Sequence, residues 1–161
     1  DRFGMHADIH TVLDPQQRVR VVEERARFEA DPRGFRRDYA EGQAKLKRRL
    51  EAAMGRAVRV EVPHGLRLRI SQVCSALQVD GLRGDIVTFR AARAFCALQG
   101  REEVTARDVA AVIVPCLRHR LRRDPLAPLD TSGQRVRETF LDVFRFQIGA
   151  PGLEAADADE A

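Results

Sequence analysis

Between Leu66 and Leu117 the apolar residues recur at helical spacing three times over. Leu66, Ile70, Val73, Cys74 and Leu77 stand at i, i+4, i+7, i+8 and i+11, and Val87, Ala91, Ala94, Phe95 and Leu98 repeat those offsets. Val109, Val112, Ile113, Cys116 and Leu117 make a third stripe. Such a period buries one face of a helix, so three helices joined by short turns predict a compact bundle. Thr105 is the predicted N-cap of the third helix, with Asp108 completing a capping box. Pro115 removes an amide donor inside that stripe and predicts a kink there.

The flanks follow other patterns. Residues 5–12, MHADIHTV, alternate with period two and predict a short strand whose partners would lie upstream. Asp14-Pro15 opens a helix, with Asp14 as cap, Pro15 at the first helical position and Gln17 placed to reach back. That helix stops at Asp31-Pro32. A second, highly charged helix is predicted from Phe35 to Met54, with only Phe35, Tyr39, Leu46, Leu50 and Met54 apolar, ended by Gly55. A helix so polar reads as a connector on a larger body. RVEVP at 59–63 is extended, LAPLDTSG at 126–133 reads as loop, and Arg135 to Phe146 forms a last helix on Val136, Phe140, Val143 and Phe144. Residues 149–161 are acidic, lack apolar positions and predict a disordered tail. No internal repeat is present.

Composition narrows the classes. The chain of 161 residues is 44% hydrophobic and 32% charged, so it can bury a core and stay in water. No apolar run approaches the roughly 20 residues of a membrane span, and no signal peptide is recognisable. The net charge is +4, but acidic residues interleave with the arginines, as in AEGQAKLKRRLEAA. A solvated helix surface explains this without nucleic acid. Cys74, Cys96 and Cys116 fall on predicted apolar faces without CxxC spacing, which reads as small buried hydrophobes in a reducing cytoplasm. The first residue is Asp1, inside a motif-like string, which suggests a piece of a longer polypeptide.

Two arginines carry candidate chemistry. Arg83, in GLRGD, sits at the turn between the first two bundle helices, where the next helix N-terminus favours an anion. A guanidinium stays charged and can grip two phosphate oxygens at once. Arg2, in DRFG, precedes the predicted strand and could equally pair with an acid of its own fold. His6 and His10 share one face of that strand and His119 stands among arginines, but the set lacks the pattern of a metal site, and none is expected. No GxxxxGK[ST] loop occurs, so these 161 residues alone should not hydrolyse ATP.

The strings DRFGMH, RVRVVEERARF, ISQVCSALQVDGLRGDIVT and VTARDVAAVIVPCLRHRLRRDPL resemble the AAA+ ATPase subunit of magnesium chelatase, from residue 1 to about 146. The resemblance implies a mainly α fold: an AAA+ helical lid bundle, preceded by one strand and linker helices from the end of the α/β nucleotide-binding core. It divides the chain into the core's end (1–13), a helical connector (14–62), the lid (63–128), and a C-terminal helix with its tail (129–161). It implies that Arg2 is an arginine finger acting in trans and Arg83 the sensor-2 arginine, both toward the γ-phosphate. ATP and Mg²⁺ would be held mainly by residues upstream. It further implies a ring, taken as a hexamer, with a second AAA+ subunit and a large porphyrin-binding subunit, in the cytoplasm of a bacterial phototroph making (bacterio)chlorophyll. A MoxR-type AAA+ chaperone lid and a basic helical nucleic-acid module are the alternatives.

Overall fold

A computed structural model describes residues 3–121 and 131–148, with side chains of the last helix followed to residue 145. The elements are α1 (Pro15–Ala30), α2 (Pro32–Asp38), α3 (Ala40–Ala57), α4 (His64–Ala76), α5 (Arg83–Leu98), α6 (Ala106–Leu117), a 3₁₀ turn (Arg118–Arg120) and α7 (Thr131–Ile148). Arg2, most of the predicted 126–133 loop and the 149–161 tail fall outside the described residues.

The bundle is α4, α5, α6 and α7, with α3 lying along α5. Its core takes Leu66, Ile70, Val73, Cys74 and Leu77 from the first stripe and all five predicted positions from the third. Val136, Phe140 and Phe144 close it from α7. The middle stripe is rotated from its expected position. The fully buried face of α5 is Gly84, Thr88, Ala92, Cys96 and Ala97, whereas Val87, Ala91, Phe95 and Leu98 are half-buried and Ala94 is exposed. Small side chains suit close approach of α5 to α4 and α6, so the centre of the contact is a stripe of small residues and the larger apolar ones flank it.

Four features also differ from expectation. Residues 5–12 form no strand: they run extended across the C-terminal end of α6, and His6 N–H donates to Pro115 O at 2.8 Å. No neighbouring strand among the described residues offers them a ladder. Asp31-Pro32 both ends α1 and begins α2, because the Asp31 carboxylate accepts from Arg33 and Gly34 N–H at 3.1 and 2.9 Å. The single helix expected from Phe35 is split at Tyr39. Gly55 does not terminate α3, which continues to Ala57. Arg93 of α5 reaches over to donate to Ala57 O at 2.6 Å and Val58 O at 3.2 Å, capping the carbonyls that would otherwise be orphaned. Lastly α7 begins at Thr131, four residues before the expected Arg135.

Elsewhere local signals are obeyed. Asp14 caps α1 through Gln16 N–H at 3.0 Å. The extended RVEVP segment pairs with the α5–α6 connection: Glu61 N–H donates to Glu102 O at 2.8 Å and Val104 N–H to Glu61 O at 3.0 Å. α6 opens on the capping box, with the Asp108 carboxylate accepting Thr105 N–H at 2.8 Å and its hydroxyl at 2.9 Å. α1 buries no residue; Tyr39 OH to Glu24 at 2.8 Å and Arg27 to Asp38 at 2.9 Å tie it to α2.

All three cysteines are free and buried. Burial pushes the Cys74 thiol up to about 12 and Cys116 to about 11, and raises Cys96 as well. Thiols so far from thiolate are packing groups and poor nucleophiles. Among the described residues, no helix is long and apolar enough to cross a membrane, and no three His, Cys, Asp or Glu side chains converge as a metal site.

Candidate functional site

The turn that presents Arg83 is built by the end of α4. Gln78 takes a left-handed conformation (φ 52°), Val79 N–H returns to Cys74 O at 3.0 Å and Gln78 N–H to Ser75 O at 2.9 Å. This is a Schellman closure. Gly81 is the second left-handed residue of the turn (φ 68°), and α5 then starts at Arg83 itself. The next two residues of the motif anchor the arginine from below. Gly84 is pressed into the bundle: a Cβ there would lie 2.9 Å from Val79 Cγ1 and 3.1 Å from Leu117 Cδ2. Asp85, in the first turn of α5, accepts from Ser71 Oγ at 2.6 Å, which also places a negative charge at the helix's positive end. With Gly84 inward and Asp85 tied to α4, the Arg83 side chain is left exposed.

The geometry also explains why position 84 is a glycine. Its backbone conformation is ordinary; what excludes a side chain is space. Gly84→Ala is expected to lose about 1–3 kcal/mol through forced repacking. Gly65→Ala in α4, where a Cβ would meet nothing within 4 Å, is the control expected to melt like the parent. Thermal unfolding of the pair checks both.

Arg83 faces a groove of about 690 Å³. It is lined by Arg83, Ile86, Val87, Arg90 and Ala91 of α5, by the segment from Phe3 to Met5, and by Arg120. Gly4 lies so close to α5 that a Cβ would sit 3.3 Å from Val87 Cγ1. The two motifs that the sequence keeps some 80 residues apart therefore border one groove in one chain, although the Arg2 side chain lies outside the described residues. Guanidinium groups over an apolar floor can hold an anion and can do little acid–base chemistry, since arginine does not deprotonate.

The histidines do not assemble. His6 and His119 stand 5.8 Å apart, ring to ring, while His10 lines a different cavity with Asp8 and Arg118. Burial and the neighbouring Arg120 hold His119 below the usual histidine range. Arg90 and Arg120 are groove residues that the sequence reading did not single out. Arg90 is two helical turns beyond Arg83 and so on its face, a spacing that was legible. Arg120 belongs to an arginine-rich run in which nothing local distinguishes one arginine from the next.

A family model described as an AAA lid domain matches residues 67–139. The chain is 56% identical over 144 residues to the chloroplastic magnesium-chelatase subunit ChlI of Oryza sativa subsp. indica, covering 89% of this chain and 34% of the rice protein. It is 55% identical to the Nicotiana tabacum protein of that name, with the same coverage. It is 54% identical to magnesium-chelatase subunit ChlI of Nephroselmis olivacea, of which it covers 40%. The chain thus spans 34–40% of the length of these curated relatives. With the lid match and these identities together, the chain belongs to the magnesium-chelatase I-subunit family of AAA+ proteins.

Proposed function

We propose that this chain is the lid-bearing part of the AAA+ motor subunit of magnesium chelatase, in which ATP hydrolysis drives Mg²⁺ insertion into protoporphyrin IX. The observation that carries the reading is the groove in which the DRFG segment meets the helix opened by Arg83. ATP and the inserted Mg²⁺ are substrates of that reaction. The groove's guanidinium groups fit the phosphate end of ATP, while the glycine-rich cradle and acidic metal ligands must come from elsewhere in the subunit. In this reading residues 1–13 end the nucleotide-binding core, 14–62 connect, and 63–128 form the lid, followed by 129–161. Arg83 acts as sensor 2 and Arg2 as an arginine finger on a neighbour's ATP, in a hexameric ring. The ring works with a second AAA+ subunit and a large porphyrin-binding subunit.

The mechanism asks little covalent chemistry of these residues. Phosphoryl transfer concentrates negative charge on the transferring group and the leaving oxygen, and fixed positive groups lower that barrier. The helix start that carries Arg83 is held by the Gly84 contact and the Ser71–Asp85 bond, while the side chain itself stays exposed toward a ligand. Arg83→Ala in the full-length subunit is expected to cut ATP turnover by about 10²-fold, the scale of losing one preorganised charge donor. Unchanged turnover would remove the sensor-2 assignment. The 161 residues alone, run beside it, should release no phosphate above background.

A further inference from the structure

We infer that Arg90 is a second nucleotide-binding arginine, which holds the inner phosphates of ATP while Arg83 addresses the reacting one. The inference rests on the reading of Arg83 as a γ-phosphate residue. Both belong to α5, Arg83 as its first residue and Arg90 seven residues on. Seven residues are close to two turns, so the two side chains leave the same face about 10 Å apart along the helix. Between them that face carries Ile86 and Val87, whose side chains offer a guanidinium no acceptor.

What marks Arg90 is that no acid answers it. Elsewhere in the chain exposed cations on helices are paired three or four residues away: Arg25 with Glu29 at 2.7 Å, Arg27 with Glu24 at 2.9 Å and Arg145 with Asp142 at 3.0 Å. Around Arg90 those positions hold Ile86, Val87, Arg93 and Ala94. The one acidic residue of α5, Asp85, is bonded to Ser71, and Arg93 is engaged by the Ala57 and Val58 carbonyls. Among the described residues Arg83 and Arg90 alike form no ion pair, and no carboxylate lines the groove that both border. Two unanswered guanidinium groups along an apolar helix face make a local field that favours a polyanion, and each can grip phosphate oxygens in pairs. A lone phosphate would satisfy one of them, whereas a nucleoside triphosphate carries charge at several points along its length. Only the γ-phosphate changes its bonding in hydrolysis, so a contact to the inner phosphates serves ground state and transition state equally.

The test compares ATP turnover and ADP binding in full-length subunits carrying Arg90→Ala, Arg83→Ala or, as a control for lost surface charge, Arg49→Ala on the exposed side of α3. Arg90→Ala is expected to raise KM for ATP roughly 10- to 100-fold, the scale of a charged hydrogen bond lost from a phosphate. Its kcat should stay within about twofold, the mark of uniform binding. ADP keeps the inner phosphates and should lose affinity by a similar factor, whereas Arg83→Ala should bind ADP like the parent. Arg90→Lys keeps the charge without the fork and should fall between the parent and the alanine variant. If Arg90→Ala fails to fold or assemble, Arg90→Lys carries the same comparison. An unchanged KM would overturn the inference, and so would a fall in kcat at constant KM. ATP weakened with ADP untouched would overturn it as well, since Arg90 would then meet the γ-phosphate. So would an equal effect of Arg49→Ala, which would reduce the result to net charge. Full turnover in Arg83→Ala removes the reading on which this rests, whatever Arg90 does. Lost turnover there beside an indifferent Arg90→Ala removes this inference and leaves that reading standing.

Discussion

Arg2→Ala in the full-length subunit is expected to leave ATP binding nearly intact and to cut turnover by about 10³–10⁵-fold, the range of an arginine finger. Under the proposed function the ATP site of the mutant subunit keeps its own cradle, so binding should survive, while the charge that a neighbour's Arg2 would lend to the transition state is gone. Mixing supplies the sharper result. Arg2→Ala subunits and subunits with a dead phosphate loop are each inactive alone. In a mixed ring some interfaces place an intact ATP site beside an intact Arg2, and partial activity should return. Mixed rings as inactive as both parents would exclude an independent finger in trans. Failure of Arg2→Ala to form rings would point instead to a structural ion pair, the other role open to an arginine at that place in the chain.

The bundle was legible because its helices are amphipathic and locally signposted. Periodicity found the core positions of α4, α6 and α7, and the Thr105–Asp108 box marked the start of α6. The errors arose where tertiary contacts outrank local propensity. Arg93 carries α3 past Gly55 by capping its carbonyls, which no window of sequence around Gly55 can foretell. The α5 stripe was misphased because hydrophobicity weights large residues, whereas close helix contact selects Gly84, Thr88 and Ala92. The strand expected at 5–12 rests on alternation and β-branched residues, and neither provides the partner strand that a ladder needs. Of the candidate site, the motif arginines came from the family resemblance. Their meeting along one groove, and the parts of Arg90 and Arg120 in it, required the fold.

A second large effect is expected in stability, at the start of α6. Asp108 is fully buried, and its carboxylate is held by Arg101, whose Nη1 lies 3.0 Å from Oδ2 while Nη2 pairs with Oδ1. Arg101 itself follows the Schellman closure of α5, in which left-handed Gly100 (φ 82°) turns the chain and Arg101 N–H returns to Cys96 O at 3.1 Å. Burial alone would raise the Asp108 pKa; the bonds from Arg101 and Thr105 outweigh it and hold the carboxyl below its usual range. A carboxyl depressed in the folded state stabilises above its unfolded pKa, and that contribution is lost as pH falls through the lower folded value. Arg101→Leu leaves the carboxylate buried without its counter-ion and is expected to cost about 3 kcal/mol at neutral pH, the scale of breaking a buried pair from one side. The sign of the pH dependence should then reverse. With burial unopposed by Arg101 the folded pKa rises above the unfolded one, the folded state binds the extra proton, and stability increases as pH is lowered from neutrality. Thermal unfolding of the parent and Arg101→Leu subunits from neutral pH into the acid range reads this directly. The two melting temperatures should converge on acidification, the gap being widest at neutral pH. A gap that stays constant with pH would show that Arg101 stabilises the α5–α6 connection by packing and leaves the Asp108 charge to Thr105.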